Sequence, residues 1–182
     1  MHNNSFNNIA CVFEELFSRS KVVDCSNLRL PVTTLTNNCY QDMFSDCASL
    51  IAAPELPATT LSSSCYYGMF QGCTALTTAP ELPATTLANN CYYLMFSGCT
   101  SLTAAPDLLA TDTVTDCYRQ MFESCKNLSY VKCMSIRPSA SYTRDWLKKV
   151  NETGEFVYDK AVEWDDGNSG IPVGWTKTPI AA

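Results

Sequence analysis

Residues 56–81 read LPATTLSSSCYYGMFQGCTALTTAPE, and the stretch that follows from Leu82 reads LPATTLANNCYYLMFSGCTSLTAAPD. A third copy, from Leu30, reads LPVTTLTNNCYQDMFSDCASLIAAPE, and a looser fourth, from Leu108, reads LLATDTVTDCYRQMFESCKNLSYVKC. Four adjoining units of equal length, 26 residues, define a repeat architecture in which no single unit can bury its apolar side alone. Before Leu30 a degenerate unit echoes the pattern through Phe13, Leu16 and Phe17, with one extra residue in its spacing.

Within each copy Cys, Tyr, Met, Phe and Cys recur, as in Cys65, Tyr66, Met69, Phe70 and Cys73. Pairs four apart draw an apolar stripe, which predicts a short helix. Asn or Ser before the first Cys suits a helix N-cap. Gly72 and Gly98 before the second Cys suit a left-handed stop, with Asp46 and Ser124 as poorer substitutes. The following Leu-x-x-Ala-Pro, as in Leu76 to Pro80, predicts a brief strand. The expected fold is a right-handed α/β solenoid of strand, turn and helix, with neighbouring strands about 4.8 Å apart. Three divisions follow: a tail and degenerate capping repeat over 1–29, four repeats over 30–133, and a capping segment over 134–182. The last holds all the tryptophans, Trp146, Trp164 and Trp175, with SYTRDWLKKV read as a helix and EFVYDKAVEW and SGIPVGWTK as extended segments. This predicts an α+β cap over the last coil.

Composition narrows the function. The chain has 182 residues, of which 46% are hydrophobic and only 16% charged. Its 12 Lys+Arg against 18 Asp+Glu argue against a nucleic-acid binder working by phosphate neutralisation. The single His, His2, sits at the terminus, which argues against Ser/His, Cys/His and His-zinc chemistry. No apolar run reaches the roughly 20 residues of a membrane span. The opening MHNNSFNNIACVFEE lacks the basic and long apolar regions of an export signal. The expectation is a chain that stays inside, or one whose export segment or larger partner chain lies beyond this sequence.

The LPATTL-xxx-CYxxMFxGCTxLTxAPE unit resembles the BspA-like leucine-rich repeats of bacterial surface proteins, in a variant rich in Met-Phe and Cys. The resemblance covers about residues 12 to 133 and continues through YVKC, the Trp146 segment, GEFV and SGIPVGWT. It implies a leucine-rich-repeat scaffold for interaction, without catalysis, cofactor or metal, at the cell surface or secreted. Relatives in phage-encoded tail proteins imply an alternative: a structural or receptor-binding part of a larger assembly, in a virion or cytoplasm.

Candidate sites each have a plainer reading. The repeated C-x7-C is not the short knuckle of a zinc site and reads as buried thiols, with disulfides between neighbouring coils the alternative. Cys11, Cys25 and Cys133 stand outside the pairs, and Cys11 is expected to be exposed. Glu55, Glu81 and Asp107 share one phase, readable as a cation-attracting column or as solvated turn residues. Asp165, Asp166 and Asn168 in WDDGNSG form half of a calcium loop or a Gly-rich turn. From Leu30 to Tyr118 there is no Lys or Arg, so the repeats present Thr, Ser, Asn and Tyr. The position after the recurrent Tyr varies as Gln41, Tyr67, Tyr93 and Arg119, and the position after the recurrent Leu carries Thr77 and Thr103. These six are the candidate contacts for a protein or carbohydrate partner.

Overall fold

The computed structural model describes residues 13–136 and 138–180. Among them the regular elements are β1 (Tyr130–Cys133), α1 (Ala140–Thr143), β2 (Glu155–Asp159) and β3 (Thr176–Ile180). The strands form one parallel sheet in the order β1-β2-β3, with Val131 opposite Phe156 and Phe156 opposite Lys177. This overturns the expected α/β solenoid: no repeat contains an α-helix, and the Leu-x-x-Ala-Pro segments contribute only isolated bridges before Tyr130.

The apolar stripe folds instead as a ribbon of turns. Every fourth residue is left-handed: Asn38, Asp42 and Asp46 have φ of 57, 51 and 58°, and Ser64, Gly68 and Gly72 have 56, 57 and 71°. Asn90, Leu94 and Gly98, then Asp116, Gln120 and Ser124, continue the pattern. Backbone donors alternate with it. Cys39, Gln41, Met43, Ser45 and Cys47 donate to the carbonyl three residues back at 3.0–3.3 Å. Asn38, Tyr40, Asp42, Phe44 and Asp46 donate across to Ser63, Cys65, Tyr67, Met69 and Gln71 at 2.7–3.0 Å. An α-helix needs right-handed residues throughout and bonds four residues back. A left-handed residue in each group of four prevents both.

The side-chain period is therefore four. Cys39, Tyr40, Met43, Phe44 and Cys47 are buried, while Gln41, Asp42, Ser45 and Asp46 lie towards the outside. Equivalent rings stack between repeats, with centroids 5.8, 6.0 and 6.1 Å apart along Tyr40, Tyr66, Tyr92 and Tyr118. A second stack runs Phe17, Phe44, Phe70, Phe96 and Phe122, at 5.3–5.7 Å. Such face-offset contacts add to the burial of each ring. Most of the left-handed positions carry Asn, Asp, Ser or Gly, which tolerate that backbone; at Leu94 and Gln120 it costs about 1 kcal/mol each.

The segment expected as a Trp146 helix is corrected in the same way. Only Ala140–Thr143 is helical. Beyond it Asp145 and Lys149 are left-handed, and Tyr118, Gln120, Phe122 and Ser124 donate to Tyr142, Arg144, Trp146 and Lys148. Trp146 sits against Tyr118 at 6.2 Å, continuing the tyrosine stack as a further ribbon layer. The sheet crosses the division placed at residue 133, because β1 belongs to the last repeat and pairs with β2.

Two glycines separate backbone strain from crowding. Gly98 is left-handed at φ 76°, yet a Cβ there would meet only Gly72 at an ordinary 3.6 Å. At Gly154 a Cβ would lie 2.6 Å from the Ser129 carbonyl oxygen and 2.7 Å from the Trp175 ring. In urea unfolding, Gly98→Ala is expected to cost about 1 kcal/mol and Gly154→Ala about 3 kcal/mol. Equal costs would contradict this placement.

Candidate functional site

The outward position after each buried Tyr builds a column from Gln41, Tyr67, Tyr93 and Arg119, all half-buried. The ladder holds it rigidly, because Asp42 and Gly68 donate from the next position to the carbonyls of Tyr67 and Tyr93. Tyr67 meets Tyr93 edge-on, with centroids 4.9 Å apart and planes at 69°. The Arg119 guanidinium lies 5.0 Å from the centre of the Tyr93 ring, a cation–π contact. Asp116 anchors that guanidinium, with Oδ2 3.5 Å from Nη1, while Arg119 Nε is buried without an acceptor among the described residues. Gln41 ends the column, donating from Nε2 to Asp42 Oδ2 at 3.4 Å. Burial pushes the Tyr67 phenol up, helped by Tyr93 and Asp42 and opposed by Arg119.

Thr77 and Thr103 are exposed beside buried Leu76 and Leu102, in line with Ile51, which is 51% exposed. Among the described residues no hydrogen bond or ring contact joins them to the tyrosine column. Sequence reasoning missed Asp116, whose signal was the three-residue spacing to Arg119 on the outward side of the ribbon.

The carboxylate column is partly neutralised. Arg29 reaches Glu55 at 3.7 Å and Lys132 reaches Asp107 at 2.6 Å, so the central Glu81 is the member without an ion pair among the described residues. Two grooves of about 510 Å³ each adjoin at Glu81 and Pro83, walled by Ala, Pro, Leu and acidic side chains. In the WDDGNSG turn, Asp166 is engaged by Lys177 at 2.7 Å. Among the described residues no group of three or more His, Cys, Asp or Glu could hold a metal ion.

Every described cysteine is buried, and none is part of a disulfide. Cys11 and His2 lie outside the described residues. The second Cys of each repeat has a defined partner: Cys47, Cys73, Cys99 and Cys125 donate S–H to the carbonyls of Phe17, Phe44, Phe70 and Phe96 at 2.9–3.1 Å. Burial pushes Cys65, Cys73, Cys125 and Cys133 up to about 12, from an ordinary thiol value of 9.0. A thiol held protonated is a poor nucleophile and a poor metal ligand.

No protein-family model, curated protein or solved structure matches the chain. The resemblance of the repeats therefore rests on their residues alone.

The thiols generate a reactivity and a pH expectation. A thiol reagent at pH 8 is expected to leave the ribbon cysteines unmodified in the folded protein and to titrate them at once in denaturant; silence after denaturation would show disulfides. Because the folded thiols hold their protons to about 12 while unfolded ones release them near 9, stability is full below pH 9. It then falls as pH rises towards 12, by about 1 kcal/mol per pH unit for each such thiol. Thermal melts at pH 8 and pH 10 measure that slope.

Proposed function

We propose that the chain is a non-enzymatic binding module whose Tyr67–Tyr93–Arg119 column docks a protein partner. The observation that carries this reading is the contact sequence itself: an edge-on tyrosine pair, at 4.9 Å, continued by a guanidinium over the second ring. Tyr and Arg are the side chains that dominate protein interfaces, through large contact area and directed donors. Here their order comes from the backbone ladder, so little rotamer freedom is lost on binding. The surrounding repeats carry no Lys or Arg from Leu30 to Tyr118, so Arg119, paired with Asp116, is the first cation after a stretch whose charges are all acidic. A flat sugar-stacking platform is less well served, because the two rings meet at 69°.

The setting proposed is the surface of a bacterial cell, in adhesion to a host or matrix protein, as the resemblance of about residues 12 to 133 implies. Among the described residues no helix is long and apolar enough to cross a membrane.

Probing protein and glycan arrays with the full chain separates the two partner classes. A protein hit is expected, and its affinity is expected to fall at least tenfold in the double variant Tyr67→Ala, Tyr93→Ala, and in Arg119→Ala. The unfolding midpoint of Arg119→Ala should move little, since its guanidinium lies outside the stacked core. Binding confined to glycans, or unchanged affinity in both variants, would remove the proposal.

A further inference from the structure

Ala-Pro-Glu-Leu-Pro forms the corner of two successive repeats, at 53–57 and 79–83, and the next corner reads Ala-Pro-Asp-Leu-Leu from Ala105. The two grooves of about 510 Å³ lie between these corners and meet at Glu81 and Pro83. None of their lining residues belongs to the tyrosine column, so a ligand here binds apart from it. The prolines fix the backbone of the walls, which stiffens both grooves. Pro54, Leu56, Leu82 and Pro106 are buried, while Glu55, Glu81 and Asp107 reach outward and are exposed.

The lining offers acceptors and withholds donors. Its side chains are those of Ala, Pro and Leu and three carboxylates, none with an N–H or O–H when ionised. Proline lacks an amide N–H as well, and the Ala105 amide already donates to the Tyr130 carbonyl at 2.9 Å. An anion therefore finds nothing to hold it. A sugar ring finds no aromatic face among the lining residues. A bare metal ion finds no group of three or more ligands among the described residues. A donor-only head on an apolar stem meets every condition, and among side chains that describes Lys and Arg.

The two ends of the carboxylate column already hold such heads. Arg29, 26 residues before Glu55, reaches it at 3.7 Å, and Lys132, 25 residues after Asp107, reaches it at 2.6 Å. Counting the same steps from Glu81 leads to Glu55 and to Pro106. The repeat that brings a cation to each end thus brings none to the centre, where the two grooves join. A free polyamine would answer Glu81 but leave the apolar walls on both sides uncovered. We propose that the paired grooves dock an extended segment of a partner protein, its Lys or Arg head on Glu81 and its flanking apolar side chains in the grooves on either side.

Titration of the ¹⁵N-labelled full chain with the peptide acetyl-GLGRGLG-amide, read on the backbone amide signals, tests this. Its counterpart with citrulline in place of arginine keeps the shape and removes the charge. The Glu81 and Leu82 signals are expected to move saturably with the arginine peptide and to respond far less to the citrulline one. Glu81→Gln, an exposed change outside any ion pair among the described residues, is expected to weaken binding about fivefold. Glu81→Lys is expected to lose the arginine peptide and to take acetyl-GLGEGLG-amide instead, an exchange that a misfolded variant would not make. The double variant Tyr67→Ala, Tyr93→Ala is expected to bind the arginine peptide as the parent does, which separates this face from the tyrosine column. The proposal is overturned by an equal response to both peptides, by no saturable shift, or by binding that survives Glu81→Gln unchanged. Failure of the charge exchange, loss of the peptide in the tyrosine double variant, or a response to spermidine but to no peptide overturns it too.

Discussion

In each ribbon, alternate backbone N–H groups close a turn within their own repeat, and the rest cross to the carbonyls of the next. The other features of the repeat region depend on this alternation. It satisfies the main chain of a segment that is neither helix nor sheet, which a buried segment must achieve before side-chain packing can stabilise it. It also sets the separation of equivalent residues, so that rings one repeat apart land at stacking distance.

The constraint has two consequences for function. A four-residue period places the same pair of positions outward in every layer, so Gln41, Tyr67, Tyr93 and Arg119 form a file with no sheet to carry them. It also places both cysteines of each repeat inward, where the second one is buried and donates its S–H to a Phe carbonyl. Surface variety and core monotony follow from the same geometry. The parallel sheet and the tryptophan cluster then close one end, with Trp146 serving as the last tyrosine-like layer and as the first member of the C-terminal core.

Much of this was legible in the spacing, including part that was misread. Cys39 to Met43, Tyr40 to Phe44 and Met43 to Cys47 are four apart, while Tyr40 to Met43 and Phe44 to Cys47 are three apart. A helix of 3.6 residues per turn shows the same mixture of threes and fours, so this spacing did not by itself separate a helix from the ribbon. The column Asp46, Gly72, Gly98 and Ser124 was recognised as left-handed, but as a single stop. Its echoes four and eight residues earlier were hidden by Leu94 and Gln120, which do not advertise that backbone. The edge-on geometry of Tyr67 and Tyr93, the guanidinium over Tyr93 and the buried indole N–H of Trp164, without an acceptor among the described residues, left no mark in residue order. They depend on torsions and on neighbours brought in from other repeats or from the C-terminal segment.

By itself the sequence determined the repeat length, the identity of the inward residues and the lack of basic residues among the outward ones. Each of these is a property of composition at a fixed phase. Only the tertiary structure decided what local conformation the stripe takes. Local propensity favoured a helix, whereas donors that must reach across to the next repeat reward a chain whose alternate N–H groups point outward along the stack. That reward exists only when the neighbouring repeat is in place, so no segment read alone could reveal it.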